Sequence, residues 1–180
     1  MLGKMIADTR LEDGYIQNMN FEYEAFTNAD FSKNSFYNVV FGNCVLSNCI
    51  FTESYWKKSQ FLECKGDGSN FSKSCFKEMI FLNSSLCYVN AANTVWKECT
   101  IDNSNFKESF FSEVKFQRNK FRAANFQCVD FFETSLKGID LSDCIIEGIM
   151  VSETFDELKG VKINAVQAAG LAQMLGVKIV

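Results

Sequence analysis

The spacing of phenylalanine limits, more than any other feature, what this chain can fold into. From Leu11 to Val151 every fifth position belongs to one series, and its 29 members are 16 Phe, 5 Leu, 3 Ile, 2 Trp and 1 Val, with only Gly66 and Ala91 out of pattern. The chain has 19 Phe in 180 residues, so nearly all of them keep one phase that never slips. An α-helix turns about 100° per residue, so anchors five apart rotate by about 140° and never line one face. A straight strand fails as well, because an odd spacing throws successive anchors to opposite sides. The backbone must turn once per repeat, always in the same sense, to keep every anchor inside.

A second series supports the first. The residue two before an anchor lies on the same side of a pleat and also points inward. Of the 28 such positions from Gly14 to Ile149, 21 hold Gly, Ala, Ser, Thr, Cys or Val, as a narrow interior requires. Ala29 precedes Phe31, Ser74 precedes Phe76, Ser109 precedes Phe111 and Ala124 precedes Phe126. The other three positions of each repeat are mostly polar, as an outer wall demands.

Composition removes most catalytic chemistry. The chain has no His, which takes away the commonest general base, zinc ligand and nucleophile activator. No paired-carboxylate motif, GxGxxG or P-loop is present. We expect no enzyme, no cofactor and no metal site. Met1–Arg10 has no apolar core of signal-peptide length, and no run of 18 apolar residues occurs, so a cytoplasmic protein without a membrane span is expected. The net charge of −4 names no partner.

Segments such as Ala29-Asp30-Phe31-Ser32-Lys33, Ala124-Asn125-Phe126-Gln127-Cys128 and Ile139-Asp140-Leu141-Ser142-Asp143 resemble the A(D/N)LXX unit of the pentapeptide-repeat family. The resemblance implies an all-β fold, a right-handed quadrilateral parallel β-helix in which four repeats make one 20-residue coil. About seven coils would form a rod roughly 34 Å long at a step of roughly 4.8 Å. The organisation expected is an N-terminal cap over 1–10, the β-helix over 11–155 and a C-terminal element over 156–180. In a square coil Trp56 faces Gly66 and Trp96 neighbours Ala91, pairing oversized with undersized anchors. Lys65-Gly66-Asp67-Gly68 reads equally well as a bulge or surface loop. Five of the eight cysteines (Cys44, Cys49, Cys64, Cys99, Cys144) fall at the small inward position and read as reduced, space-filling residues. Cys44 and Cys64 would stack one coil apart, within disulfide reach by Cα distance alone.

The tail reads as a short helix followed by a β-prone end. Asn164 and Gln167 form a capping box, Gly176 ends the helix, and Ala168, Leu171, Ala172 and Leu175 make an apolar stripe. The plainest role for it is to cap its own solenoid, whose end would otherwise expose backbone edges. The stretch from Leu158 to Val177 also resembles the tail of the Qnr/MfpA-type quinolone-resistance proteins. That resemblance implies a homodimer formed through the tail, with Ala168, Leu171, Ala172, Leu175, Val177 and Ile179 at the contact. It further implies a DNA-mimicking rod that binds a bacterial type II topoisomerase, DNA gyrase or topoisomerase IV, and modulates quinolone sensitivity. Direct nucleic-acid binding is not expected.

Sorted by wall on the 20-residue period, the charges are polarised. The wall of Phe31, Phe51 and Phe71 has eight acids against three bases, including Asp130 and the ladder Glu113, Glu133, Glu153. Those carboxylates would replace DNA phosphates. The next wall has seven bases against two acids, with Lys57, Lys77, Lys97 and Lys137 in one outward slot. The alternative function is therefore a structural or protein-interaction module that meets another partner through this lysine-rich wall. The bland reading of the same wall is a solvated face relieved by Glu78 and Glu98. The register also runs without the loops that interrupt Qnr-type solenoids, which weighs against drug protection more than against topoisomerase binding.

Overall fold

The computed structural model describes residues 14–178. The expected N-terminal cap and the anchor Leu11 lie outside that range, as does Ile179. Twelve three-residue strands, numbered in chain order, form two parallel sheets. One sheet stacks β1 (Tyr15–Gln17), β3 (Ser35–Tyr37), β5 (Tyr55–Lys57), β7 (Cys75–Lys77), β9 (Val95–Lys97) and β11 (Lys115–Gln117). The other stacks β2 (Asn20–Glu22), β4 (Val40–Gly42), β6 (Gln60–Leu62), β8 (Ile80–Leu82), β10 (Thr100–Asp102) and β12 (Lys120–Arg122). Partners are 20 residues apart throughout, as in Phe36 with Trp56 and Phe61 with Phe81. The remaining two walls are turns joined coil to coil by isolated bridges, from Ala25–Val45 to Asp130–Met150. The result is the parallel β-solenoid expected from the period. Its strands span five coil-to-coil steps, fewer than the about seven coils anticipated, because beyond Arg122 the coils continue as bridges and turns only.

Two devices hold each coil. The backbone is left-handed at every fifth residue from Asn18 to Gly138, which folds the corner between one wall and the next. Asn enters that region readily, yet Glu, Lys and Tyr occupy it here too, held by the ladder: Lys33 N–H bonds the Thr52 carbonyl at 2.8 Å and Glu53 N–H that of Ser72 at 3.0 Å. Inside, the hydroxyls do more than save space. The Ser74 hydroxyl accepts the Ser54 N–H at 3.0 Å and donates to the Phe51 carbonyl at 2.7 Å, and Ser69 does the same for Cys49 and Leu46. Buried backbone groups left over between walls are thereby paired.

The core is one column of aromatic rings. Phe36 stacks on Trp56 at 3.7 Å, and Phe51 on Phe31 and Phe71 at 5.2 and 4.8 Å. Both indoles are buried with their N–H satisfied, Trp56 by Ser54 at 2.7 Å and Trp96 by Thr94 at 2.8 Å. At Gly66 a Cβ would sit 2.9 Å from a Leu86 methyl, so the space is filled from the next coil. The segment 65–68 is neither bulge nor loop. Lys65, Gly66 and Gly68 keep their ladder bonds, and Gly68 takes the ordinary left-handed corner. Every cysteine is free, and the five inward ones are buried.

The coil geometry outlasts the fivefold register. Asp140 bridges Lys162, a separation of 22 rather than 20, because two extra residues enter between Val151 and Phe155, just before a 3-10 turn over Asp156–Leu158. Leu158, Val161 and Ile163 then pack on the core beyond Leu136, Ile139 and Leu141. Helix α1 (Ala165–Met174) follows, with the expected capping box at Asn164 and Gln167. Gly176 is left-handed; its N–H and that of Val177 return to the carbonyls of Gln173 and Ala172, closing the helix in a Schellman motif. Val177 and Lys178 form no strand. No helix among the described residues is long and apolar enough to cross a membrane.

Candidate interaction surfaces

The C-terminal end is closed by side chains that stand in for a missing coil. Glu157 is buried, and its carboxylate accepts the N–H of Glu133 at 2.9 Å, where each earlier coil offers a backbone carbonyl. It also takes the Ser152 N–H at 3.2 Å and the Ser152 hydroxyl at 2.8 Å. Burial alone would raise this carboxyl, but these donors together with its own N–H outweigh it and hold the group below the ordinary carboxylate range. Its stabilising contribution is therefore complete above the unfolded value of about 4.3 and is lost as pH falls through the lower folded value. Melting curves should show Glu157→Gln removing part of the acid-side loss of stability seen in the parent. Identical pH profiles would mean that Glu157 carries no such linkage.

Asn164 and Gln167 serve the helix and the coil together. While capping α1, Asn164 donates to the Ser142 carbonyl at 2.7 Å, and Gln167 donates to those of Leu141 and Cys144 at 2.8 and 2.6 Å. The tail thus caps its own solenoid. Of the expected stripe, Leu171 and Ala172 are half-buried while Ala168 and Leu175 face solvent. No residue of α1 is buried, and Val166 and Leu175 are 83% and 61% exposed. An apolar cleft of about 730 Å³ lies between α1 and the last coil, lined by Ile145, Ile146, Val166, Gly170, Leu171 and Met174.

The lysine ladder lies on the first sheet. Lys57, Lys77 and Lys97 are direct partners on β5, β7 and β9, half-buried along their stems; Lys137 stands two coils beyond Lys97, with Gln117 between them. The Lys57 ammonium lies 5.3 Å from the centre of the Tyr37 ring. Lys77 approaches Glu78 at 3.9 Å, whereas Glu98 pairs with Arg118 and not with Lys97. The relief expected from the two acids reaches one lysine of the ladder.

On the wall of Phe31, Phe51 and Phe71, the third wall, Glu113, Glu133 and Glu153 are exposed and form no ion pair among the described residues. Asp130 differs. It is half-buried and takes the Phe132 N–H at 2.8 Å and the Ser112 hydroxyl at 2.9 Å, so it serves the wall's own turn. The sequence reading also missed exposed apolar groups beside these acids: Phe110, Phe132 and Met150. Their signal was available, because both phenylalanines break the anchor register. Among the described residues no group of three or more Cys, Asp and Glu converges on a metal-sized site.

Twenty-residue coils of four short walls, with large anchors inside and left-handed corners between, are the fold of the pentapeptide-repeat proteins. Solved structures agree with that class. Trypsin-treated QnrB1, a plasmid-mediated fluoroquinolone resistance protein, matches with a TM-score of 0.53 at 15% identity, over 93% of this chain and 97% of that one. A second trypsin-treated form of QnrB1 gives 0.51 at 13% identity, over 99% of each chain. HetL, a pentapeptide repeat protein involved in heterocyst differentiation regulation from the cyanobacterium Nostoc, gives 0.34 at 15% identity over 88% and 91%. No family model matches the sequence. No curated protein matches it either.

Proposed function

We propose that the protein is a non-catalytic rod that binds a bacterial type II topoisomerase, with its third wall imitating one strand of duplex DNA. The observation that carries this reading is the pair Glu113 and Glu133, exposed at the left-handed corners of successive coils, with exposed Glu153 following where the register slips. One coil step of about 4.8 Å apart, Glu113 and Glu133 set a line charge of the order of one DNA strand, which carries a phosphate per roughly 3.4 Å of axis. The likeness in fold to a fluoroquinolone resistance protein and the Qnr/MfpA-like tail support the choice of partner. The exposed helix face and the cleft beside it support a homodimer through the tail, which would double the length of the acidic track.

A supercoiling assay with purified DNA gyrase tests the reading. Wild-type protein should inhibit, and changing Glu113, Glu133 and Glu153 together to Lys should abolish inhibition with little change in melting temperature, since exposed sites move stability little. Inhibition should also fall steeply with added salt. Changing Lys57, Lys77, Lys97 and Lys137 to Glu should leave inhibition intact or strengthen it. The opposite pattern, with lysine reversal destructive and glutamate reversal silent, rejects mimicry. It would favour the second reading, an interaction module working through the lysine wall, for which the observation is three stacked lysines with one nearby acid between them. Like charges directly opposite on neighbouring strands are destabilising, so an anionic partner would relieve a standing repulsion.

A further inference from the structure

Of the 19 phenylalanines, only Phe110, Phe132 and Phe155 stand outside the anchor register. Phe155 is half-buried at the turn that starts the 3-10 segment. The other two are 52% and 45% exposed, and Met150 beside them is 49% exposed. Phe110, Asp130 and Met150 are bridge partners in three successive coils, and Phe132 lies two residues beyond Asp130 on the same wall. The three apolar side chains therefore surround one aspartate whose carboxylate is already occupied by Phe132 N–H and Ser112. Single exposed apolar residues are ordinary, but a group within two coils of a rod whose in-register phenylalanines face inward marks a contact surface.

Acids border the cluster along one edge, where Glu113 and Glu133 stand with Glu153 beyond them. The opposite edge is mixed, with Glu108 paired to Lys107 at 3.5 Å and Glu147 further along the rod. An apolar strip with an acidic margin is the complement of an amphipathic helix whose apolar stripe is bordered by Lys and Arg. The lengths agree as well. Two coil steps carry Phe110 to Met150 over about 9.6 Å, and a helix advances about 10.5 Å from residue i to i+7. Apolar residues at i, i+3 or i+4, and i+7 would meet Met150, Phe132 and Phe110 with the helix lying along the rod. The chain's own α1 is a poor occupant: its sequence AVQAAGLAQM is apolar but offers no cation to that margin.

We infer that the third wall from Phe110 to Met150 is a docking surface for a basic amphipathic helix of another protein, an inference that rests on the proposed acidic wall as the contacting face and adds an apolar centre to it. Full-length protein is titrated with a roughly 18-residue helical Leu/Lys peptide that carries one leucine stripe, and with an isomer of equal composition whose leucines are scattered. The striped peptide should bind at least tenfold more tightly. The double variant Phe110→Ser, Phe132→Ser should lose at least tenfold in that affinity with an unchanged melting temperature. Changing Glu113, Glu133 and Glu153 to Gln should weaken binding and flatten its salt dependence. Equal affinity for the two peptides, or unchanged affinity in the Phe110, Phe132 variant, overturns the docking surface. The supercoiling assay separates this outcome from the topoisomerase reading. If wild-type protein binds both peptides alike yet inhibits gyrase, docking falls and mimicry stands. If it selects the striped peptide but leaves gyrase untouched, docking stands and mimicry falls.

Discussion

Phe76→Ala should lower the stability of the rod by about 3–5 kcal/mol, close to the upper end for a single core truncation. Phe76 is buried on β7 between two indoles, with ring centres 6.3 Å from Trp56 and 4.5 Å from Trp96. Relaxation around the vacated ring is restricted because the backbone levels above and below are fixed to each other. Cys75 N–H bonds the Ser54 carbonyl at 2.9 Å and Val95 N–H bonds that of Ser74 at 3.1 Å. A cavity in a stacked coil also weakens both neighbouring interfaces, since each coil is stabilised chiefly by the next. Ser32→Ala is the control. Its side chain points outward, and the local bonds of that turn are made by backbone and by Asp30 and Asn34. It should cost well under about 0.5 kcal/mol. Equal shifts for the two variants in denaturant unfolding would reject the inside–outside assignment on which every other inference depends.

Removal of residues 156–180 is expected to be comparably damaging and to change assembly as well. The deletion strips the carboxylate of Glu157 from the Glu133 N–H. It also takes the backbone carbonyls of Glu157, Gly160 and Lys162 from the N–H groups of Leu136, Gly138 and Leu141. It further uncovers the carbonyls of Leu141, Ser142 and Cys144 that Asn164 and Gln167 now satisfy. An open coil end with unpaired backbone is a template for another chain, so the truncated protein should aggregate or, if it remains dispersed, run as a monomer. A gentler pair of variants divides the two roles of the tail. Val166→Asp and Leu175→Asp change exposed side chains near the two ends of α1 and should dissociate a dimer in light scattering while leaving the cap and the melting temperature intact. A full-length protein that is monomeric at micromolar concentration leaves the tail with its capping role alone.

The sequence was most informative where a side chain repeats a physical task. Anchors such as Phe36, Phe51 and Phe126 must be large and apolar at every turn, so their spacing encodes the coil. The left-handed corners were not legible, because Glu53, Lys58 and Tyr88 have no preference for that region and adopt it only under the constraint of the ladder. The hydroxyl pairing of Ser69 and Ser74 was half legible: size was evident, but the bonds depend on which carbonyl the next coil presents. At the C-terminal end a slip of two residues hid Leu158 and Ile163 from the fivefold count, although they occupy the anchor sites of Leu136 and Leu141 one level on. The acidic wall was found as a tally of charge. Its character changed once Asp130 turned out to be engaged and Phe110 and Phe132 exposed, facts that depend on turn geometry and not on residue type.

The corner at every fifth residue has a consequence for how such a chain can be lengthened. One residue added or lost inside a regular coil rotates every later side chain out of phase and places polar groups in the aromatic column, so such changes should be refused. The two extra residues after Val151, by contrast, are absorbed at a turn and leave Leu158 and Ile163 on the core. Five added residues restore the interior but swing everything downstream by a quarter turn about the axis, which would move the Glu113–Glu153 row to a different compass bearing from Lys57, Lys77 and Lys97. Among regular additions, a whole multiple of 20 preserves both the interior and the relative bearing of the two charged rows, and it extends the rod by about 4.8 Å for each coil. The molecule can therefore be treated as a ruler graduated in coils, and the separation of its two charged rows along the axis can be set in steps of that size without altering either row.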